Sequence, residues 1–226
     1  MGTYENILSL FGGDLKSKAV ELGYSPANLC ILDGNADELK RRFEKCFNKL
    51  VSCQHASDSR SIIEYGRDIV SNWILEDTIV QKLNAEGNPI GLKIVLTGAD
   101  KNREILLQRM VSARSDCSAE ANGKKRNLEI AVNFTNYWHR FGKVDLRDAK
   151  YNMLVSEKSL FLGLCLKTKK YMLLDFTKGL NVTHIPSHEP WGGKPANSIA
   201  LEPSDFCDLH VADIVQKIKD AIDLSE

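Results

Sequence analysis

Asp116 and Glu129 are the two residues whose type and spacing most directly suggest chemistry. Between them lies Asn122-Gly123, flanked by the strand-like runs DCSAEA and KKRNLEIAVNF. Asn-Gly in such a setting favours a two-residue hairpin turn, because both residues tolerate the positive φ that the turn demands. Counting outward from that turn, Ala121 faces Lys124 and Asp116 faces Glu129. Directly opposed residues have Cβ atoms roughly 4.5 to 5.5 Å apart. Two carboxylates so placed repel, and either a bound cation or a shifted pKa resolves the repulsion. Hard oxygen ligands with room for water suit Mg²⁺. The alternation of Leu128, Ile130, Val132 and Phe134 turns those side chains to the core and leaves Glu129, Ala131 and Asn133 on the other face.

A third acid stands upstream. From about Ser61 to Leu83 the residues Ile62, Gly66, Ile69, Trp73, Glu76, Val80 and Leu83 fall on one helical stripe, and Glu76 is its single charged member. Once buried, its carboxylate must meet a partner. A metal held by Asp116 and Glu129 is one such partner, and a neighbouring Arg or Lys is the other. Glu64, on the same helix, is an alternative acid for the site.

The elements that must position these groups follow from periodicity and turn residues. The N-terminal part is helical to about residue 84, with Leu39, Phe43, Cys46, Phe47 and Leu50 on one face of its best-marked helix and Lys40, Arg41 and Lys45 on the other. Gly87, Asn88 and Pro89 end the long helix, Leu92 to Thr97 is a short strand, and Lys101 to Arg109 is expected to be a charged helical connection. After the hairpin, Asp145 to about Val155 reads as helix, Leu160 to Leu166 and Tyr171 to Phe176 as buried strands, and Asp205 to Leu224 as an amphipathic helix. The order implies an α/β (α+β) chain with a central mixed sheet flanked by helices. Residues 1–60 form an N-terminal helical region and residues 61–226 a core with a C-terminal helix, the two continuous with each other.

Composition narrows the classes. The 226 residues are 43% hydrophobic and 27% charged, enough to bury a core and unlike disordered, collagen-like or coiled-coil chains. Lys and Arg (30) balance Asp and Glu (30), so a polyanionic partner must be read from local patches. The longest apolar run, Leu160 to Leu166, falls far short of the roughly 20 residues that span a bilayer, and the N-terminus lacks an export signal. Met1-Gly2 carries no myristoylation signal, since Asn6 stands where the motif takes Ser or Thr. The six dispersed cysteines form no CxxC pair, which suits reduced thiols and a cytoplasmic setting. Cys53 with His55, and Cys207 with His210, are each only half of a zinc site.

Glu76, Asp116 and Glu129-Ile130-Ala131, with twelve residues between Asp116 and Glu129, resemble the PD-(D/E)XK nuclease superfamily and, within it, the type II restriction endonucleases. The resemblance covers about residues 61 to 180. It implies a restriction-endonuclease-like core: a helix bearing Glu, strands bearing Asp and Glu-x-Lys, then a helix and two further strands. It also implies a Mg²⁺ site at Asp116 and Glu129 with Glu76 nearby, double-stranded DNA as substrate and a homodimer matched to a two-fold site. Where the superfamily has Lys, this chain has Ala131. A register shifted by two residues is the alternative, since AVNFTNY from Ala131 resembles an acid-Val-Gln-Phe-x-Asn-Tyr run in some restriction enzymes, with Asn133 then in the third position. In both registers residue 131 is the missing group. The expected consequence is a chain that binds DNA and a divalent ion but cleaves slowly, with Ala131→Lys restoring cutting.

Charge patterning adds candidate DNA contacts. Residues 101 to 126 hold seven basic side chains against three acidic ones, whereas residues 202 to 226 hold seven acids against two lysines. Arg140 and Lys143 lie in the aromatic-rich segment NYWHRFGK, and Lys194 follows Trp191-Gly192-Gly193 in an expected loop. The resulting expectation is a Mg²⁺-dependent DNA endonuclease, a type II restriction enzyme. The alternatives are a repair or recombination nuclease and a non-catalytic DNA-binding or protein-interaction module on the same fold.

Overall fold

The computed structural model describes residues 2–107 and 115–224. The chain divides into two compact units, Met1–Gln81 with Ala99–Ser112, and Lys82–Gly98 with Ala113–Glu226.

The first unit is helical: α1 (Thr3–Leu10), α2 (Leu15–Glu21), α3 (Pro26–Asp33), α4 (Ala36–Arg42), α5 (Glu44–Cys53) and most of α6 (Ile62–Gly87). Side-chain caps open four of these helices, with Asp14, Ser25, Asn35 and Ser61 each accepting a backbone N–H of the first turn. The expected helix through Leu39 and Leu50 is broken at Phe43, whose backbone leaves the helical region, so Leu39 and Leu50 are buried from two separate helices. Gly66 is where α6 packs closest, since a Cβ there would lie 3.0 Å from a Leu50 methyl and 3.1 Å from an Ile31 methyl. The stretch from Lys101 to residue 107 is irregular instead of helical. Arg103 adopts φ 54° and its N–H closes a turn onto the Asp100 carbonyl (2.7 Å), which turns the chain away from a helical path. Arg109, the expected end of that helix, lies outside the described residues, as does Arg114.

The second unit carries β1 (Leu92–Leu96), β2 (Cys117–Ala121), β3 (Lys124–Asn133), α7 (Tyr137–Phe141), β4 (Lys143–Arg147), α8 (Asp148–Ser156), β5 (Leu160–Cys165), β6 (Lys170–Asp175), β7 (Val182–His188), β8 (Lys194–Ala200), β9 (Cys207–Asp208) and α9 (Val211–Asp223). A six-stranded mixed sheet runs in the order β1-β2-β3-β5-β6-β9, with β3 and β5 parallel and the other neighbours antiparallel. A smaller antiparallel sheet, β4-β8-β7, completes the unit.

The hairpin has the expected register, Ala121 opposite Lys124 and Cys117 opposite Leu128. Asn122 (φ 51°) and Gly123 (φ 75°) both take the left-handed conformation. On one side of the large sheet α9 packs across β2, β3 and β6, burying Ile214, Val215, Ile218 and Ile222; each such side chain contributes about 1.5 to 3 kcal/mol. On the other, Phe161, Cys165, Met172 and Leu174 join Leu154 of α8, Val144 and Ile199 of the small sheet and Leu201 just after β8 in one apolar cluster. Both faces of β3 are therefore covered, so the face bearing Glu129 and Ala131 is not open to water as simple alternation suggests.

The small sheet was not expected from the sequence. β4 occupies the start of the segment read as helix from Asp145, and that helix begins at Asp148. β7 contains Pro186 and is mostly exposed, as an edge strand tolerates. The C-terminal helix likewise starts at Val211, after the short strand β9.

Candidate functional site

Asp116 enters the site from the loop before β2. Its carbonyl accepts the N–H groups of Thr97 (2.8 Å) and Gly98 (3.1 Å), which fixes its backbone to the end of β1. Glu129 sits in the middle of β3, paired with Phe161 of the parallel strand β5. The structure brings the two carboxyl groups together within hydrogen-bonding reach, as the hairpin register predicts.

Glu129 is buried, its side chain 8% exposed. Oε1 receives the ammonium of Lys150 at 2.5 Å, while Oε2 is buried and accepts no hydrogen bond among the described residues. Burial is the main cause that pushes the Glu129 pKa up to about 8, and the negative charge of Asp116 adds to it. Lys150 pulls the other way without offsetting them. Near neutral pH Glu129 therefore keeps its proton.

Lys150 is the site residue that sequence reasoning missed. It lies in the first turn of α8, in the connection that carries the chain from β3 to its parallel neighbour β5. The available signal was its spacing from Leu154: positions i and i+4 share a helix face, and Leu154 is fully buried. Ala131, the position where the resemblance calls for a lysine, is packed into the sheet. It faces Gly163 across the β3–β5 pair and packs against the apolar cluster, where a Cβ at Gly163 would already meet Met172 (2.4 Å) and Trp138 (3.1 Å).

Glu76 belongs to the helical unit, where its carboxylate pairs with Arg103 at 2.6 Å. The same guanidinium binds Asp77 (2.5 Å), and Tyr24 donates its hydroxyl to Asp77 (2.6 Å). The partner that the buried stripe requires is thus met by a cation, the second of the two resolutions open from the sequence. Glu64 accepts the Ser61 N–H (2.8 Å) at the start of α6, a capping role.

The basic segment is partly consumed by the fold. Arg103 lies in that ion cluster, and Arg126, 7% exposed, binds the Lys158 carbonyl and Asp175 (both 2.6 Å). Lys124 donates to the Asp223 carbonyl (2.9 Å). Lys125 and Lys158 remain exposed and, with Asn127 and Thr177, line a cavity of about 670 Å³. Asn127 shares a strand face with Glu129, two residues along β3.

Among the DNA-contact candidates, Arg140 is exposed on α7 over the Phe141 ring (5.1 Å). Lys143 pairs with Asp145 (3.3 Å) and lies over the Tyr137 ring (5.8 Å). Lys194 is exposed and opens β8 directly after the Gly192-Gly193 turn, so it begins a strand rather than lying in a loop. A second polar group that the sequence did not signal surrounds Asp145, which accepts from Tyr137 (3.0 Å) and meets Nε2 of His188 (3.4 Å). Burial opposes its ionisation, but hydrogen bonds from Ser198 and Tyr137 and the charge of Lys143 hold its pKa below the usual carboxylate range.

Two facing carboxyls with one buried oxygen left over are a donor set that fits a hard divalent cation. Among the described residues no group of three or more His, Cys, Asp or Glu could hold a metal ion. The half zinc sites are otherwise engaged: Cys53 donates to the Leu106 carbonyl (2.6 Å), and His55 bonds Ser57 (2.7 Å). Among the described residues no helix is long and apolar enough to cross a membrane. A scan against protein-family models and a search of curated proteins each return no match to this chain.

Proposed function

We propose that this chain is a Mg²⁺-dependent endonuclease of double-stranded DNA, a type II restriction enzyme acting as a homodimer, in which Lys150 supplies the ammonium group that Ala131 lacks. The observation that carries the reading is the facing pair of Asp116 and Glu129 with Lys150 2.5 Å from Glu129. The element order supports it. The helix α6, the antiparallel strands β1 to β3, the helix α8 and the strand β5, parallel to β3, occur in the order that the PD-(D/E)XK resemblance implies, with α7 and β4 inserted between β3 and α8.

In this reading Asp116 and Glu129 hold the ion, and Glu129 gives up its raised-pKa proton when it does so. The bound ion would lower the pKa of the attacking water and neutralise charge on the scissile phosphate. Lys150 keeps an ammonium beside Glu129, placed to hydrogen-bond the water or a phosphate oxygen as negative charge develops. Ala131 packs and takes no part. Lys125 and Lys158, beside the cavity that begins at Asn127, would neutralise neighbouring phosphates, with Arg140 and Lys194 as further exposed cations.

Incubation with plasmid in Mg²⁺ or Mn²⁺, against a chelator control, tests the activity. Discrete fragments support a restriction enzyme, and structure-dependent nicking supports a repair or recombination nuclease. One observation favours the non-catalytic module instead: Lys150 is already in hydrogen-bond contact with Glu129, an arrangement that serves a purely structural role equally well. Absence of both cleavage and divalent-ion binding would decide for it.

A further inference from the structure

The six cysteines are free and sit in different environments, and one of them stands apart. Cys30, Cys117 and Cys165 are buried, and burial pushes the Cys165 thiol up to about 11. Burial also raises the Cys46 thiol, and Cys53 donates a hydrogen bond to the Leu106 carbonyl. Cys207, on the short edge strand β9, instead accepts from a cation: Lys217 Nζ lies 2.9 Å from its sulfur.

Lys217 is brought there by the first turns of α9, which runs back across the sheet directly after β9. Its ammonium also lies 5.4 Å over the ring of Tyr171, the residue opposite Cys207 in the β6–β9 pair. Around them is an open cavity of about 350 Å³, lined further by Asp208, His210 and Asp213. Tyr171, which lines the same cavity and is 1% exposed, keeps its hydroxyl buried with no hydrogen-bond partner among the described residues. A cysteine sulfur in contact with an ammonium, reachable through an open cavity, is the setting in which cysteines react as nucleophiles.

We propose that Cys207 is an oxidative modification site, reacting with hydrogen peroxide and then forming a covalent bond to Lys217. In the first step the thiolate attacks one peroxide oxygen, so that an S–O bond forms as the O–O bond breaks. The hydroxide released takes a proton from Lys217, leaving a sulfenic acid, water and a neutral amine. The amine then attacks the sulfenic sulfur, an S–N bond forms as the S–O bond breaks, and the departing hydroxide leaves as water with the amine proton. Sulfur loses two electrons and peroxide gains them; an added thiol reverses the bond by attacking the sulfur. The product ties β9 to α9. This inference is independent of the nuclease reading.

The test uses the full chain in its reduced, folded state. In brief iodoacetamide labelling, Cys207 should react first, and Lys217→Met should slow it about tenfold, whereas Lys217→Arg, which keeps the charge, should not. Peptide mass spectrometry after hydrogen peroxide should show the Cys207 and Lys217 peptides joined with net loss of two hydrogens and restored by dithiothreitol. In Lys217→Arg a dimedone-reactive sulfenic acid should accumulate at Cys207 instead. Equal labelling of Cys207 in the native and Lys217→Met chains, or oxidation of Cys207 to sulfinic acid with no joined peptide, would overturn the proposal.

Discussion

Lys150 reaches Glu129 from a helix rather than from the strand that bears the acid, placing its ammonium nitrogen 2.5 Å from Oε1. The position two residues beyond Glu129, where a lysine was expected, is instead an alanine packed against the apolar cluster. Under the proposed function, Lys150 supplies that charge from α8. Replacing Lys150 with Met should lower the cleavage rate by about 10²- to 10³-fold, the usual cost of removing one group that stabilises developing charge. Folding should persist, because Glu129 can remain protonated. Cleavage that is unchanged in Lys150→Met would remove Lys150 from the mechanism.

Glu129 gives the chain a defined pH signature. Its folded pKa, about 8, lies above the ordinary value of 4.5, so its contribution to stability is fully present below about pH 4.5 and is lost as pH rises through 8. In chelator, Glu129→Gln should flatten the fall in Tm between pH 5 and pH 9, with most of its effect at the alkaline end. Mg²⁺ should raise the native Tm more at pH 8 than at pH 5, because the ion competes with the proton. Parallel Tm profiles for the native and Glu129→Gln chains would contradict this placement of the carboxyl.

The turn that sets the register is sensitive at one position. Gly123 takes φ 75°, a conformation that costs an L residue roughly 1 kcal/mol, so Gly123→Ala should lower stability by about that amount in urea titration. An unchanged midpoint would indicate a different turn.

Gly163 is constrained by contact instead of conformation. A methyl group there would fall 2.4 Å from Met172 Cε and 3.1 Å from the Trp138 ring. Met172 can rotate away, but the ring is held at the edge of the Phe161 ring, so Gly163→Ala should cost about 1 to 3 kcal/mol. Denaturant midpoints measure this directly, and a neutral result would show that the β3–β5 seam has spare volume.

Local signals made the hairpin legible. Asn122-Gly123 fixed the turn, and the alternation of Leu128 and Ile130 fixed the face. Strands β5 and β6 were equally clear, because Leu160 to Cys165 is one short apolar run and Lys169, at φ 50°, ends the turn between them. Long-range effects were not legible. The burial of Glu129 depends on α8 and the small sheet covering its face, and nothing near residue 129 encodes that. Glu76 pairs with Arg103, 27 residues further along the chain, a contact that no local pattern encodes. Charge counting over residues 101 to 126 misjudged the surface, because Arg103 and Arg126 are buried structural cations. β7 escaped because Pro186 and its exposed residues lack a strand's alternation.

The central claim is that Asp116 and Glu129 form a metal-dependent nuclease centre, and a plasmid cleavage assay on the native chain and on Asp116→Asn tests it most directly. The account predicts cleavage by the native chain, with Ala131 in place, in Mg²⁺ or Mn²⁺, none in chelator, and a loss of at least about 10²-fold in Asp116→Asn at unchanged Tm. Equal activity of Asp116→Asn, or no cleavage of any DNA by a native chain that also shows no divalent-ion shift in Tm, would contradict it.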